Sequence, residues 1–510
     1  MEKKVRVRFA PSPTGGLHLG GVRTVLYNYL FAKKHQGDFV LRIEDTDQNR
    51  YVAGAEDYIQ ECLKWCGLVP DESPLHGGPY APYRQSERKE MYRQFAEQLV
   101  ANGFAYYAFD TQEELEKMRE QFKTDENPSP QYSHIVREKM RNSVSLGHDE
   151  VQRLINEGLP YVIRIKMPDN ETLSFTDMIR GEVSFNSSLT DDKVLLKADG
   201  MPTYHLAVVV DDYSMKISHA FRGEEWLPSA PVHLLLWRYL GWEKDMPQWA
   251  HLPLILKPDG HGKLSKRDGD RLGFPVFAMN WKDPKSEEMA TGFRELGFLP
   301  EAFLNLLAVL GWNDGSEQEI FTLEELIENF SLDHVHKGGA KFNYEKAKWF
   351  NHEWIKKLPV DKWQHTVRKD FEEKGLIIQD ENKFFQILEL VKDRCTLLTD
   401  FYLQASFFFK APEVLDVASV KPKWNEDKSM FFDIVSEKFT VLEDWNAVNI
   451  ETLFKDTAIE KEIRAGELQL PFRIMLVGGK FGPTVFDIAS IIGRGETINR
   501  IKKALTDFSE

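Results

Sequence analysis

The sequence predicts an α/β protein in which a parallel-sheet domain with an insertion is followed by an all-helical region. A strand, a helix and a second strand follow one another between Val5 and Glu44, which is the order of a βαβ unit with parallel strands. Short apolar runs ended by polar residues recur up to about residue 256, whereas the apolar residues beyond Phe298 follow helical spacing. The change of period indicates two regions of different class.

The composition limits the classes of protein to which the chain can belong. With 510 residues, 42% of them hydrophobic, the chain can bury more than one core. No apolar run reaches the roughly 20 residues of a membrane span, and the first residues lack the apolar core of a signal peptide. Cys62 and Cys66 lie four apart on an apolar helix face, which favours packing over metal binding. A net charge of -15 argues against indiscriminate coating of nucleic acid. We therefore expect a cytoplasmic protein without membrane contact.

The first strand and its loop form the centre of the predicted sheet domain. Apolar residues alternate over residues 5–9, as in a half-buried strand. The prolines and glycines of residues 11–16 then end the strand. Helical spacing follows over residues 22–30, and Gly37 is expected to end that helix. The loop that carries His18 therefore enters a helix N-terminus, which favours an anion.

An acidic segment ends the second strand. Glu44, Asp45 and Asp47 follow the apolar residues 39–43 directly. Carboxyl ends of parallel strands lie at one edge of a sheet, where ligands bind. These carboxylates could meet an ammonium group there, or they could form an ordinary polar turn.

A later apolar run is interpreted as another strand of the same sheet. The run AVVVDD, residues 207–212, is short for a helix and fits a buried parallel strand. Polar and aromatic residues flank it and are expected at the same sheet edge: Tyr204, His205, Arg222, Glu224, Glu225 and Trp226. For Arg222 the alternative is an ion pair with Glu224 or Glu225.

A basic loop follows the apolar segment WAHLPLIL. Residues 257–270 combine glycines with Lys257, Lys263, Lys266 and Arg267. This combination suits a polyphosphate, and the alternative is an exposed basic linker.

Taken together, these motifs resemble a known family. A His-x-Gly loop after the first strand, paired with a late Lys-Leu-Ser-Lys-Arg loop, resembles the two signatures of class I aminoacyl-tRNA synthetases. More closely, the sequence resembles the bacterial-type glutamyl-tRNA synthetases in RFAPSPTGGLHLGG, RIEDTD, PYRQSER, PTYHLAVVVDD, FRGEEW and KLSKR. The segments KFNYEKAKWFN, PFRIMLVGG and IIGRGETINRI resemble the helical anticodon-binding region of that family. The resemblance covers essentially the whole chain.

The resemblance implies a domain organisation. A class I catalytic domain of Rossmann type would occupy residues 1–330. Within it, an α+β insertion at about 84–200 would contact the acceptor end of tRNA, and residues of about 250–330 would contact the stem. An all-α anticodon-binding region would occupy residues 331–510. A monomer is expected by analogy.

The resemblance also implies a reaction and its residues. ATP-dependent ligation would join L-glutamate to the 3′-terminal adenosine of tRNA(Glu) through glutamyl-adenylate, with AMP and pyrophosphate released and Mg²⁺ accompanying ATP. The implied catalytic residues are His18, Lys263 and Lys266. The implied ATP-binding residues are His18, Gly20, Gly21, Glu225, Trp226, Lys263, Leu264, Ser265 and Lys266. The implied glutamate-binding residues are Arg8, Ala10, Ser12, Glu44, Tyr204 and Arg222. An arginine fork suits the γ-carboxylate of glutamate, and Glu44 suits its ammonium group.

Two positions depart from the family pattern. Val208 stands where some relatives have a substrate-contacting asparagine. Tyr106 and Tyr107 stand where some relatives carry cysteines that bind zinc, so we expect no zinc and no other protein-bound metal.

Two alternatives to glutamate ligation stay open at this stage. A glutaminyl-tRNA synthetase would place a neutral side chain against Arg222, which is a poor match. A tRNA-binding paralogue without catalysis is the other, although both signature loops keep their histidine and lysines.

Overall fold

The computed structural model describes residues 4–125, 127–284 and 286–509, and only the backbone of residues 266, 267, 270 and 509. It divides into two compact units, one made of Met1–Glu295 with Leu304–Tyr344 and the other of Leu296–Phe303 with Glu345–Glu510. The expected domain boundary at 330/331 stays a prediction. None of the helices in the described ranges combines the length and the apolar character that crossing a membrane requires.

The strands are concentrated in the first unit. In chain order they are β1 Arg6–Phe9, β2 Asp38–Leu41, β3 Ala105–Ala108, β4 Val162–Ile165, β5 Thr172–Asp177, β6 Gly181–Asn186, β7 Val194–Leu196, β8 His219–Gly223, β9 Gln248–Leu252, β10 Ile255–Leu256, β11 Trp281–Lys282, β12 Met289–Ala290 and β13 Ala340–Lys341. Beyond Lys341, the part of the chain that the structure describes contains no strand.

The helices run through both units. In chain order they are α1 Leu19–Lys34, α2 Ala55–Trp65, α3 Lys89–Ala101, α4 Gln112–Gln121, α5 His134–Arg137, α6 His148–Asn156, α7 Tyr204–Ser214, α8 Ala230–Tyr239, α9 Lys266–Leu272, α10 Pro300–Val309, α11 Leu323–Asn329, α12 Tyr344–Lys357, α13 Gln364–Glu373, α14 Glu381–Val391, α15 Asp400–Ala405, α16 Val417–Val420, α17 Glu426–Thr440, α18 Ala447–Glu460, α19 Ala465–Val477, α20 Val485–Ile492 and α21 Arg494–Ser509.

The main sheet has six strands in the order β2-β1-β8-β9-β5-β6. All neighbouring pairs are parallel except the β5–β6 hairpin. The segment α3 to β7 supplies a separate antiparallel sheet, β3-β4-β7, and also lends β5 and β6 to the main sheet. The predicted parallel sheet, α+β insertion and helical C-terminal region are therefore confirmed.

The first strand is buried on both faces, so its interpretation as half-buried is wrong. All four residues of β1 are buried, in a strand that lies inside the sheet between β2 and β8 and packs against α1. Its polar side chains are buried as ion pairs: Arg6 with Glu72 at 2.7 Å and Arg8 with Asp212 at 3.1 Å. A buried charge needs such a partner. The alternating apolar pattern of residues 5–9 does not reveal the partners of Arg6 and Arg8.

Helix α1 has the apolar face that its spacing predicts, with Val22, Val25, Leu26 and Leu30 buried. It ends earlier than expected, at Lys34, and Gln36 rather than Gly37 takes the left-handed conformation. A Cβ at residue 37 would approach the carbonyl oxygen of Val5 to 2.4 Å. Gly37 is therefore needed for close approach to the first strand and not for the helix cap.

The prediction that AVVVDD forms a strand is wrong, because these residues lie in α7. Residues 206–212 are all buried, and α7 packs against α3 and α8. A helix that is apolar on every side has no helical period to detect. The strand of this region is β8, the segment HAFRG, which places Arg222 one residue before the carboxyl end.

An aromatic cluster forms the core of the C-terminal part of the second unit. Phe431, Phe454 and Phe472 come from α17, α18 and α19 and are fully buried. The Phe431 and Phe454 ring centroids lie 5.1 Å apart, and those of Phe454 and Phe472 lie 5.2 Å apart. Such aromatic pairs contribute large buried area and specific geometry to a helical core.

Candidate active site

A cleft of about 560 Å³ opens at the carboxyl ends of β1, β8 and β9. This volume is typical of a small-molecule site. Its walls include the loop after β1, the start of α1, one side of α7 and residues 252–255 and 263–265. The sheet edge therefore provides the cleft that the sequence pattern predicts.

The cleft brings together nearly all the residues that the sequence singled out. The predicted residues that line it are Arg8, Ala10, Ser12, His18, Gly20, Gly21, Glu44, Tyr204, Arg222, Glu225, Trp226, Lys263, Leu264 and Ser265. The backbone of Lys266 opens α9, but its side chain lies outside the described residues. The roles assigned to these residues stay predictions.

Arg222 is a buried cation without a carboxylate partner among the described residues. Its Nε donates to His251 Nε2 at 2.9 Å, and its Nη1 donates to Tyr204 Oη at 3.3 Å and to His233 Nδ1 at 3.1 Å. Its Nη2 is buried and finds no hydrogen-bond partner in the described ranges. The guanidinium carbon lies 4.8 Å from the ring centroid of Trp249.

The alternative ion pairs of Arg222 do not form. Glu224 instead contacts Arg180 and accepts from the Leu254 backbone at 2.9 Å. Glu225 contacts Lys263 at 2.5 Å. The positive charge of Arg222 therefore remains available to an anion in the cleft.

A second group of charges, which reaches the cleft wall through Glu44 and Arg8, is internally paired. Arg42 is fully buried and contacts Asp212 at 2.8 Å and Glu44 at 3.0 Å. Burial raises the pKa of the Glu44 carboxyl, against the opposing effect of Arg42 and Arg8. Burial would also raise the pKa of Asp212, but Arg8 and Arg42 hold it below its ordinary value. Sequence reasoning missed Arg42, although an arginine inside the apolar run before Glu44 is a detectable signal.

The loop before α1 is packed closely around His18. The His18 Nδ1 atom accepts from the backbone N–H of Gly20 at 3.2 Å and so caps the helix. A Cβ at Gly16 would meet the Trp281 and Phe277 rings at 2.8 and 2.9 Å. The first turn of α1 carries no acidic residue. The positive end of the helix dipole is therefore not opposed from within the helix.

The basic loop carries ion pairs with neighbouring carboxylates. Lys263 pairs with Glu225, and Lys257 lies 3.4 Å from Asp268. Ser265 is the N-cap residue of α9, and its backbone N–H and hydroxyl donate to Asp268 at 2.9 and 2.6 Å. Hydrogen bonds from Ser265 hold the pKa of Asp268 below its ordinary value. The start of α9 is thereby fixed at the edge of the cleft.

Sequence reasoning also missed several neutral or fully buried residues around the cleft. Arg23 lines it and donates to the carbonyls of Leu310 and Pro253. His251 and His233 hold Arg222, but in the sequence each lies within an apolar run with no motif around it. No pattern in one sequence distinguishes these histidines from ordinary core residues.

The described residues contain no group of three or more histidine, cysteine, aspartate or glutamate side chains placed to hold a metal ion. Tyr106, one of the two tyrosines on which the expected absence of zinc rests, donates through Oη to Asp192 at 2.6 Å. The expected absence of zinc stays a prediction.

Comparison with known proteins places this geometry in a family. Residues 4–349 match the model of the catalytic domain of class I tRNA synthetases (E and Q), and residues 343–505 match an anticodon-binding domain. The chain is 50% identical to the glutamate–tRNA ligase of Cytophaga hutchinsonii, covering 100% of this chain and 98% of that protein. It is 51% identical to that of Amoebophilus asiaticus, covering 99% and 98%.

A solved structure agrees over the same span. The crystal structure of a glutamate tRNA ligase from Elizabethkingia meningosepticum, in complex with its amino acid, is 48% identical, covers 99% of this chain and 100% of that chain, and has a TM-score of 0.94. Both family models, the full-length relatives and the shared fold agree with the paired signature loops that meet in the cleft. The chain therefore belongs to the glutamate–tRNA ligase family of class I tRNA synthetases.

Proposed function

We propose that the protein ligates L-glutamate to the 3′-terminal adenosine of tRNA(Glu) at the expense of ATP. The observation that carries the choice of substrate is the buried, uncompensated guanidinium of Arg222 in a cleft of class I architecture. A carboxylate satisfies the unpaired Nη2 of such a group through a charge-assisted hydrogen bond. The neutral amide of glutamine would leave the charge unmatched, so Arg222 favours glutamate over glutamine.

The reaction has two balanced steps. The α-carboxylate oxygen of glutamate attacks the α-phosphorus of ATP, the new O–P bond forms, and the bond to the bridging oxygen breaks to release pyrophosphate. The 2′-hydroxyl of the terminal adenosine then attacks the carbonyl carbon of glutamyl-adenylate, the bond from that carbon to the phosphate oxygen breaks, and AMP leaves with its electron pair while the hydroxyl proton passes to the departing phosphate. Alignment and charge stabilisation supply most of the catalysis in such phosphoryl chemistry.

The glutamate subsite is built around Arg222. Its Nη2 meets the γ-carboxylate, and the neighbouring Tyr204 hydroxyl borders the same space. Glu44, which Arg42 helps to hold, meets the ammonium group. The remaining proposed contacts come from the strand end and loop after β1: Arg8, Ala10 and Ser12.

The ATP subsite lies on the other side of the first loop. His18, Gly20 and Gly21 at the start of α1 meet the nucleotide and its phosphates, as a helix N-terminus does for anions. Lys263 and Lys266 neutralise the charge that develops on the leaving pyrophosphate. The remaining proposed contacts are Glu225, Trp226, Leu264 and Ser265.

Mg²⁺ fits this subsite as a companion of ATP. Among the described residues that line the cleft, the carboxylates are Glu44 and Glu225, and each already contacts a cation, Arg42 or Lys263. Mg²⁺ commonly keeps several waters and takes phosphate oxygens as ligands. The ion would supply positive charge at the phosphates, with the protein contributing at most Glu225.

The tRNA contacts complete the proposal. The region of residues 331–510 binds the anticodon, the insertion at about 84–200 binds the acceptor end, and residues of about 250–330 contact the stem. The enzyme works as a monomer in the cytoplasm, and tRNA binds before glutamate is activated.

The test is ATP–pyrophosphate exchange with glutamate or glutamine, with and without purified tRNA, followed by charging of each tRNA with labelled amino acid. Exchange and charging with glutamate alone are expected. Exchange with glutamine would support a glutaminyl enzyme, and tRNA binding without exchange would support a non-catalytic paralogue. Equal exchange without tRNA would contradict the proposed order of binding.

Lys266 provides a second test of the proposed ATP subsite. Lys266→Ala is expected to lower the adenylation rate by about 100-fold, since transition-state charge loses one stabilising group, and to leave tRNA affinity within about twofold of wild type. Lys257→Ala in the same loop is the matched control and is expected to retain the rate. Equal loss of rate and tRNA affinity in Lys266→Ala would contradict the role.

A further inference from the structure

A line of buried side chains runs behind Arg222 across three neighbouring strands. Arg222 on β8 and His251 on β9 are register partners, and Asp177 ends β5 on the far side of β9. Arg222 Nε lies 2.9 Å from His251 Nε2, and His251 Nδ1 lies 2.6 Å from Asp177 Oδ2. The side chains of His251 and Asp177 have no solvent exposure.

The positions of the hydrogens along this line follow from the donors. The Nε of arginine always carries a hydrogen, so His251 Nε2 must accept. The ring proton of His251 is therefore on Nδ1, and it is donated to Asp177. Asp177 is anchored in turn by the backbone N–H groups of His251 at 3.0 Å, Ile179 at 3.0 Å and Arg180 at 2.9 Å. One tautomer of His251 is thus fixed by the strand pairing.

The other partners of Arg222 are also neutral acceptors. His233 accepts through Nδ1, and its own Nε2 lies 3.3 Å from His205 Nδ1. Burial and the charge of Arg222 keep the pKa of His233 well below its ordinary value. The Tyr204 hydroxyl is the third acceptor. The carboxylate of Asp177 thus orients Arg222 through His251 and does not contact it directly.

The arrangement differs from that of Arg8, which lines the same cleft, and from that of Arg42, which contacts the cleft residue Glu44. Arg8 and Arg42 both contact Asp212 directly, so their charges are compensated inside the protein. A direct carboxylate would do the same to Arg222 and compete with an incoming anion. The intervening His251 fixes the orientation of Arg222 and leaves the positive charge of Arg222 available to the ligand.

We propose that His251, held by Asp177, is a positioning residue that aims the free edge of Arg222 into the cleft and thereby sets the preference for a side-chain carboxylate over an amide. This inference rests on the proposed function, in which Arg222 receives the γ-carboxylate of glutamate. His251 itself does not touch the substrate. Its contribution is the orientation of Arg222 and the absence of a compensating charge.

The experiment compares four variants of the full-length enzyme in ATP–pyrophosphate exchange with tRNA present. H251L removes the acceptor, H251Q restores a side-chain carbonyl, and R222Q removes the guanidinium. H219L makes the same histidine-to-leucine change at the opposite end of β8 and is the matched control. The KM values for glutamate and ATP and the ratio of kcat/KM for glutamate over glutamine are measured for each.

H251L is expected to raise the KM for glutamate about tenfold, the effect of losing one hydrogen bond to a charged group. The KM for ATP should stay within about twofold, and the glutamate preference should fall about tenfold. H251Q should recover most of both values, and H219L should match wild type. An unchanged KM for glutamate in H251L, or an equal rise for glutamate and ATP, would overturn the proposal.

The outcomes separate this inference from the proposed function. If R222Q impairs glutamate use and H251L does not, only the positioning role is wrong. If R222Q itself leaves the KM for glutamate unchanged, the proposed subsite is wrong. Should H251L fail to fold, D177N carries the test, because its amide can donate to His251 Nδ1 and move the ring proton to Nε2, facing Arg222. A wild-type KM for glutamate in D177N would overturn the proposal.

Discussion

Two buried arginines beside and in the cleft, Arg42 and Arg222, differ in what surrounds them. Arg42 is fully enclosed and contacts Glu44 and Asp212, with Asp211 further off at 3.7 Å. Arg222 is nearly as buried but is held by two histidines and a tyrosine. The first arginine is balanced by the protein, and the second is left for a ligand. Burial alone therefore does not distinguish a structural cation from a binding cation, whereas the charges of the partners distinguish these two arginines.

Replacing Arg42 should produce the largest loss of stability. Arg42→Met leaves the buried Glu44 without its direct cation and leaves Asp212 with Arg8 alone, which is expected to lower the free energy of unfolding by about 3–5 kcal/mol. The shift of the guanidinium chloride midpoint, followed by circular dichroism, measures it. Arg238→Met, at a partly exposed pair with Glu171, is the control and should cost less than about 1 kcal/mol. Equal losses of unfolding free energy in the two variants would contradict the structural role of Arg42.

Replacing Arg222 should mainly affect binding. Arg222→Gln is expected to raise the KM for glutamate about 100-fold, or about 3 kcal/mol, since a buried charge pair with the substrate is lost. The unfolding midpoint should move little, because the partners left behind are neutral acceptors. Exchange kinetics and denaturation of the same preparation measure both. A stability loss as large as that of Arg42→Met would show that Arg222 is a structural cation.

Mild acid should distinguish the histidines near Arg222 from the ion pairs of Arg42, by a smaller change in folding stability. Burial lowers the pKa of His205 to about 4, below the ordinary value near 6.5. The unfolded chain therefore binds the proton more readily, and stability present above about pH 6.5 is lost as the pH falls towards 4. Between pH 7 and 5 we expect a loss of about 1–2 kcal/mol from this group.

Asp212, within the ion-paired group, should respond only in stronger acid. Because Arg8 and Arg42 lower the pKa of Asp212, its contribution is lost only as the pH falls below the ordinary aspartate value near 4. Denaturation midpoints at pH 7, 5 and 3.5 for wild type and His205→Asn test both statements. His205→Asn should lose less between pH 7 and 5, and an identical loss in the two proteins would contradict the assignment.

Two charged residues of this comparison, Arg222 and Glu44, could be predicted from the sequence. Arg222 and Glu44 stand at strand ends within recognisable motifs, and both line the cleft. The loop residues near His18 were accessible for the same reason, since glycine, proline and a change of period mark them. The main sheet followed from the βαβ order at the N-terminus.

The neutral partners of Arg222 could not be predicted from the sequence. His251 lies within WAHLPLIL, where it looks like a core residue, and its role depends on register pairing with β8. The strand β8 was itself obscured, because the more apolar AVVVDD nearby looked like the strand and is a buried helix. Pairing between segments distant in the chain is three-dimensional information that periodicity does not contain.

The pairing of β5 with β9 has a consequence for engineering the protein. Asp177 belongs to the segment inserted between the two halves of the sheet, yet it anchors the histidine that holds Arg222. If His251 has the proposed positioning role, the insertion is not an exchangeable module. A chimaera that imported this segment from a donor lacking the carboxylate would retain every residue facing the substrate and still lose selectivity, whereas one that grafted only the part before β5 would keep it.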